Sequence, residues 1–510
     1  MGGGEKHMCA IAEILSREHA VDILTYQPVS KEKLESQLNI DLSKARIRYV
    51  PEVSNDYTSN ITAEYDLFIN ASYMSSLPSK AKKSWLLVFF PTPFDIELKP
   101  RQKAAVRLFS PLIKRILSKD VKWLDGFYQP ERFHGVPYRW TGKKAKFWVP
   151  KPQKESGDLQ VCLASYRKPM FPQAEVRFSV NGTLINGGLI LSRDRFLVHE
   201  IKLPAGLDVD NGITLEIQSN TFIPADEDDS QDTRELGVSV AWVRWSRSPR
   251  FYIRQLANLT PMYLRVFPKT LDHLKTYNLI LANSKYTQGW IRKLWDKESL
   301  ILYPPVRFDE FNPGSKRNAI LSVGRFFRGS HNKKQIPMIQ TFKKMCDNGL
   351  QGWEYHLAGG THQEPVHQEY LAKVITESKG YPIYIHPNCQ LEKLRELYGE
   401  SKVYWHAAGL DEDESRNPER FEHFGITTVE AMAAGCVPVV IGKAGQVEIV
   451  QSGGNGLLWE TLDQLQESTL KVVEDENLRD RLGLAAIGTA QNYSFDRFED
   501  RVQELVSNDL

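Results

Sequence analysis

The stretch Glu422-His423-Phe424-Gly425-Ile426-Thr427-Thr428-Val429-Glu430-Ala431-Met432-Ala433-Ala434-Gly435 decides how the rest of the chain is read. Phe424 and Gly425 turn the chain, and Thr427 or Thr428 can cap a helix. Glu430 then falls in that helix's first turns, with small residues behind it for close packing. The open amides of such a helix start favour an anion. Glu422 in the loop and Glu430 on the helix flank that position from two sides. Two carboxylates around an anion site suit a sugar nucleotide, whose strong handles are hydroxyls and a diphosphate. Two unrelated surface glutamates would satisfy the spacing alone, but not the run of FG, EAMAAG and Pro438.

Outward from this motif the pattern is that of a parallel sheet. Ala319 to Val323, Glu354 to Ala358, Ile383 to His386, Val403 to His406 and Val437 to Ile441 are short apolar runs separated by helical stretches. The first of them ends in Gly324-Arg325-Phe326-Phe327, and Lys333-Lys334-Gln335 follows at a helix start. Two cations placed there converge on a diphosphate leaving group without a metal.

The 422–435 segment resembles the E-x7-E motif of the family 4 retaining glycosyltransferases of the GT-B fold, and its EHFG form resembles the mannosyltransferases acting on lipid-linked oligosaccharides. The resemblance implies two Rossmann-like doubly wound α/β domains around a cleft. It assigns Glu422 to the donor sugar, Glu430 to the nucleotide ribose, and Arg325 with Lys333 to the diphosphate. Lys334 is the rival by one residue, and counting back from Phe342 along the family's helix favours Lys333. It also implies that Gly2-Gly3-Gly4-Glu5 forms a loop at the donor diphosphate, so Gly3, Gly4, Glu5, Gly324, Phe424, Gly425, Ile426 and Thr427 join the expected donor site. His406 and His423 are possible cleft histidines or strand-end structural ones. No metal and no cofactor are expected, the nucleotide sugar being a substrate.

Two departures stand out. Trp85 to Phe90 runs into Pro91-Thr92-Pro93-Phe94 without the histidine that many relatives place near the donor's sugar. The glycine loop also follows Met1 directly, where this fold has a buried first strand, so the chain is expected to lack its natural beginning.

The first half reads as a second α/β unit with an insertion. Val21 to Thr25, Ile47 to Val50, Leu67 to Asn70, Ser84 to Pro91 and Tyr277 to Ser284 are parallel-type strands. Between them Ala174 to Val180 and Ile213 to Ile217 alternate strictly, Asn181-Gly182 is a hairpin turn, and Gly237 to Trp245 is another strand. The expected organisation is residues 1–126 and 248–302 as the N-terminal domain, 127–247 as an inserted all-β sandwich, 303–490 as the nucleotide-sugar domain hinged at Pro304-Pro305, and 491–510 as a C-terminal amphipathic helix.

Residues 80–122 carry eleven basic side chains against three acidic ones. There Phe109, Leu112, Ile113 and Ile116 have the spacing of one helical face. Such a segment suits an anionic membrane surface, or else a core-facing helix with a solvated basic side.

Composition excludes other classes. The 510 residues are 41% hydrophobic and 25% charged with a formal net charge of +2, so neither a disordered chain nor a global attraction to nucleic acid is expected. Five scattered cysteines, Cys9, Cys162, Cys346, Cys389 and Cys436, fit a reducing compartment. No apolar run approaches the roughly 18 residues of a membrane span. Asp411 to Glu414 and Asp226 to Asp232 lack a calcium-loop pattern and read as solvated loops.

The expected function is a metal-independent, retaining transfer of a sugar from a nucleotide diphosphate sugar, GDP-mannose among the candidates, to a glycan or lipid-linked glycan. The expected place is cytoplasmic, with peripheral contact to the membrane face. The rival reading is an inactive carbohydrate-binding or regulatory protein on the same body.

Overall fold

The computed structural model describes residues 3–509 apart from 28, 51–54, 95–97, 118–120, 134–135, 151–158, 186, 194, 205, 208–211, 228–231, 233, 247–252, 254–255, 258, 267–268 and 330. Gly2, the ends of several expected loops and the 247/248 domain boundary lie outside the described residues.

The chain opens with α1 (Gly3–Leu15), β1 (Val21–Thr25), α2 (Lys31–Leu38), β2 (Ala45–Tyr49), α3 (Asn55–Thr62), β3 (Leu67–Asn70), β4 (Lys83–Val88) and α4 (Pro100–Leu117). The glycines expected in a loop are helical, because Gly3 and Gly4 form the first turn of α1. The missing side chain serves packing there: a Cβ on Gly4 would stand 3.2 Å from the Phe89 ring. The strands of this unit form two separate parallel sheets. One is β1 with β2, and the other runs β15-β14-β4-β3, with β14 (Leu279–Ala282) and β15 (Leu300–Ile301) returning after the insertion. Helix α1 covers both sheets, sharing Ala10, Ile11 and Ile14 with the cluster of Trp85 and Leu87, and Cys9 and Ala12 with that of Ile23.

The insertion holds β5 (Lys122–Phe133), β6 (Val136–Val149), β7 (Leu159–Ala164), β8 (Glu175–Val180), β9 (Thr183–Leu184), β10 (Leu189–Ile190), β11 (Leu197–Ile201), β12 (Ile213–Ser219) and β13 (Ser239–Trp245). Where two stacked sheets were expected, these strands hydrogen-bond as one sheet of nine. The reason is the length of β6, whose residues 144–149 pair with β12 while Arg139 and Trp140 pair with β13. One strand therefore belongs to both halves, and alternate residues from β5 to β13 share one apolar cluster. Asn181 and Gly182 both take positive φ, 49° and 84°, as a tight hairpin between β8 and β9 requires.

The last unit is a six-stranded parallel sheet, β18-β17-β16-β19-β20-β21, made of β16 (Arg317–Val323), β17 (Glu354–Gly359), β18 (Ile383–Pro387), β19 (Ser401–His406), β20 (Val437–Ile441) and β21 (Leu457–Trp459). Every residue of β20 is buried, as a strand covered on both faces demands. The C-terminal helix Phe495–Asp509 crosses back to the first unit, where Phe495, Phe498, Val502 and Leu505 pack against α1 and Trp85. There the Trp85 indole donates to Asp509 Oδ2 at 2.7 Å.

The amphipathic face expected of α4 is a different stripe. Val106, Ser110 and Ile113 are buried, and the Ser110 hydroxyl donates to the Leu264 carbonyl at 2.7 Å. Leu108, Phe109 and Leu112 instead face outward, 72%, 49% and 61% exposed. Packing against the Met262–Val266 helix, rather than the widest apolar arc, sets the rotation of α4.

Candidate active site in the interdomain cleft

Strands of the first unit and of the last face a cavity of about 1810 Å³. Its lining takes Gly3, Gly4, Glu5 and Lys6 from α1, and Gly324, Arg325, Lys333 and Glu422 through Thr427 and Glu430 from the C-terminal unit. Of the sequence-derived site residues only His406 is not on that wall; it stands behind it, in the small hollow beside Lys333 and Trp405.

Local backbone chemistry places these groups. β16 ends at Val323, and the Gly324 amide donates to the Ala358 carbonyl at 2.9 Å. A Cβ on Gly324 would meet Lys333 Cγ at 2.7 Å, so glycine is needed for the lysine stem to cross there. Lys333 thereby reaches Glu422, its Nζ donating to Oε2 at 2.5 Å. Lys334 adopts a left-handed conformation, φ 56°, and its Nζ pairs with Glu412 at 3.0 Å, away from the cavity lining.

The helix Ile426–Ala433 begins at Gly425, φ 110°, without a side-chain cap. Thr427, one of the expected caps, instead accepts from the Tyr404 hydroxyl at 2.7 Å, and Thr428 donates to Gln446 Oε1 at 3.0 Å. Those tyrosine and glutamine partners hold the first turn without covering it, and Ile426 and Thr427 line the cleft.

The two carboxylates are shifted in opposite directions. Burial acts to raise the Glu422 pKa, but the Lys333 charge and the hydrogen bonds from His406 and Lys333 outweigh it and hold the group well below the usual carboxylate range. His406 Nε2 lies 2.8 Å from the same Oε2, and burial keeps that imidazole's pKa down despite Glu422. Neutral His406 therefore donates to Glu422. Burial dominates at Glu430 and raises its pKa, against the opposing pull of Lys6 and Tyr398. Lys6 Nζ lies 3.3 Å from Oε1 and the Tyr398 hydroxyl donates to Oε2 at 3.0 Å.

His423 stacks on Phe90 with ring centroids 4.2 Å apart, and its carbonyl accepts from Ser284 at 2.6 Å. Burial lowers its pKa to about 3, so it acts as a neutral wedge between the units. His331 stands beside it, lowered to about 4 by burial and by the charges of Lys333 and Arg325.

Sequence reasoning gave no role to Lys6, His331, Tyr398 or Tyr404. Lys6 could have been found from its place two residues after the last of the glycines. The other three carry no local signal, since only the sheet brings them to the motif.

Two α/β units that face each other across such a cleft form the GT-B architecture. Residues 306–488 match the family described as "Glycosyl transferases group 1". Over 227 residues the chain is 26% identical to the GDP-Man:Man(3)GlcNAc(2)-PP-Dol alpha-1,2-mannosyltransferase of Dictyostelium discoideum, covering 40% of this chain and 42% of that one. Over 256 residues it is 25% identical to the alpha-1,3/1,6-mannosyltransferase ALG2 of Mus musculus, covering 45% and 58%. The chain thus spans about half the length of these curated relatives. Among solved structures, the sucrose-phosphate synthase of Thermosynechococcus elongatus is similar at TM-score 0.39 and 16% identity, covering 46% of this chain and 59% of that one.

Proposed function

We propose that the protein is a retaining glycosyltransferase that moves mannose from GDP-mannose to a glycan or lipid-linked glycan acceptor, without a metal ion. The observation that carries this reading is the convergence on one wall of the cleft of Arg325, Lys333 and the uncovered helix start at Gly425 to Thr427, between Glu422 and Glu430. Two fixed cations and a helix start stabilise negative charge that develops on a departing diphosphate. Glu422 is tied to Lys333 and His406. The family resemblance implies departure and attack on the same face of the sugar, hence retention, with charge stabilisation as the main contribution to rate.

Glu422, kept ionised, accepts from donor-sugar hydroxyls, and Glu430 with Lys6 addresses the ribose. The names of the mannosyltransferase relatives support GDP-mannose as donor and a lipid-linked acceptor. Closure of the units about Pro304-Pro305 excludes water from the activated donor.

Among the described residues no helix is long and apolar enough to cross a membrane. We place the protein on the cytoplasmic membrane face through α4, whose Leu108, Phe109 and Leu112 project outward beside Arg107 and Arg115.

Purified protein tested with GDP-mannose, UDP-glucose and ADP-glucose checks the reading, by thermal shift and by sugar release with and without EDTA. GDP-mannose is expected to raise the melting midpoint most and to turn over in EDTA. Selectivity for another base, or strict dependence on added manganese, overturns it, and binding without turnover returns the inactive-protein reading.

A further inference from the structure

The start of one helix in the first unit is tied to the loop that carries Glu422. That helix runs Lys285–Trp295, outside the 306–488 segment, and Ser284 caps it, its hydroxyl accepting from the Thr287 amide at 3.1 Å. The same buried hydroxyl donates to the His423 carbonyl at 2.6 Å. One residue on, the Lys285 amide is among the donors that a helix start leaves open, and Glu448 of the last unit accepts it with both carboxylate oxygens, at 3.0 and 2.9 Å. The aligned peptide dipoles favour a carboxylate at that end. Tyr286 completes the row, its hydroxyl donating to the Pro418 carbonyl at 3.0 Å. Three consecutive residues thus hold three points of the other unit.

Glu448 belongs to the short helix Gln446–Ile449, which begins after Gly445. The Gly445 amide donates to the Glu422 carbonyl at 2.9 Å, and a Cβ on Gly445 would stand 2.6 Å from the His423 carbonyl oxygen, so glycine is needed for this approach. Two routes therefore run from the Lys285 helix start to adjacent residues of the motif. One passes through Ser284 to the His423 carbonyl, the other through Glu448 and Gly445 to the Glu422 carbonyl. With both carbonyls held, the peptide planes on either side of His423 are fixed, and Glu422 is presented to Lys333 and His406 from one direction.

Glu448 also accepts from the Tyr303 hydroxyl, directly before Pro304-Pro305. One carboxylate thus touches the helix start and the hinge at once. Ser284, Lys285 and Glu448 do not line the donor cavity, so what they do there they do through the loop they hold.

We propose that Glu448 is a positioning residue, which by holding the Lys285 amide locks the first unit against the 418–423 stretch and so sets the place of Glu422 for sugar transfer. Separation of the units about Pro304-Pro305 breaks the contacts at Ser284, Lys285 and Tyr286 together, so the motif loop is fully held only while the units are closed. Arg325, Lys333 and Glu430, the groups assigned to the nucleotide, all lie in the last unit. Losing the clasp therefore costs turnover and leaves nucleotide affinity. This kinetic consequence rests on the glycosyl transfer proposed above, whereas the clasp itself does not.

Lys285→Pro in the full chain removes the amide that Glu448 accepts. Proline is favoured at a first helical position, and Ser284 before it is already extended, with φ −167° and ψ 165°. Lys285→Ala loses the same exposed side chain but keeps the amide, so the two variants are compared. Hydrogen exchange across residues 420–428 and 443–448 is expected to be about fivefold or more faster in Lys285→Pro than in Lys285→Ala. With GDP-mannose its kcat is expected to be about tenfold or more lower, while GDP affinity by calorimetry stays within about threefold. Glu448→Ala is expected to match the proline variant, and Glu448→Gln, which keeps an acceptor oxygen, to recover part of the turnover. Equal exchange in the two Lys285 variants overturns the clasp, whether or not any sugar nucleotide turns over. Faster exchange with equal kcat overturns the positioning role, and so does a matching loss of GDP affinity, which marks general disruption. If the wild-type protein transfers no sugar, the glycosyltransferase reading fails by itself and the exchange comparison still decides on the clasp.

Discussion

Lys333 Nζ lies 2.5 Å from Glu422 Oε2, and His406 Nε2 approaches the same oxygen at 2.8 Å. One carboxylate oxygen thus ties together the helix start after β16, the end of β19 and the loop before the Ile426–Ala433 helix. The ion pair keeps Glu422 charged in a buried place, where an unpaired carboxylate would take up a proton. It also holds Lys333 over Gly324, beside the helix start that faces the cleft.

Replacing Lys333 or Arg325 by alanine is expected to lower kcat by roughly 10² to 10³, the scale for losing one preorganised charge-stabilising group. Lys334→Ala is expected to leave turnover within about twofold, since Lys334 pairs with Glu412 away from the cleft. Steady-state kinetics of the three variants checks this, and equal effects at Lys333 and Lys334 would count against the assignment.

Glu430→Ala is expected to weaken nucleotide binding by about ten- to a hundredfold, the worth of a charge-assisted hydrogen bond of about 1.5–3 kcal/mol, with a smaller effect on kcat. Lys6→Met leaves Glu430 with Tyr398 as its remaining partner and should raise the pKa of that carboxyl further. Titration calorimetry with GDP across pH 5 to 8 reads both effects.

His7 is fully buried between the Phe89 and Phe498 rings, with neither ring nitrogen hydrogen-bonded among the described residues, and burial lowers its pKa to about 3. In the unfolded chain it takes up a proton near pH 6.5, so between these values the unfolded state binds more protons than the folded one. Stability from this group is full above pH 6.5 and falls as pH drops toward 3, by about 1.4 kcal/mol per unit. His7→Phe is expected to leave stability at pH 7.5 nearly unchanged and to gain about 2 kcal/mol over wild type at pH 5, as measured by denaturant unfolding.

Liposome co-sedimentation tests α4. Binding to vesicles containing anionic lipid is expected to fall with salt and to drop several-fold in Arg107→Glu with Arg115→Glu. Leu112→Ser should reduce it as well, whereas a variant at buried Ile113 that still folds should not change it beyond its effect on stability. Salt-independent binding would rule this surface out.

Much of the C-terminal unit is legible in the chain itself. Its strands are short apolar runs because each is covered on both faces, and the glutamates of the motif are eight residues apart within one continuous segment. Local spacing is enough when the groups that act together are close in sequence. Strict alternation likewise marks the inserted strands, but their merging into one sheet depends on β6 bending between two sets of partners, which no local pattern encodes. The rotation of α4 escaped for a related reason: several apolar stripes were available, and the Met262–Val266 helix, more than 140 residues later, chose Val106, Ser110 and Ile113.

The sequence by itself determined the parallel-sheet units, the turn at Gly425, and the residue types able to hold a diphosphate, since these follow from hydrophobic period and short-range geometry. Tertiary structure alone decided which lysine faces Glu422, that His423 is a wedge against Phe90, and that Lys6 reaches Glu430 across 424 residues. Those facts depend on distances between segments far apart in the chain, and such distances are fixed only when the cores pack.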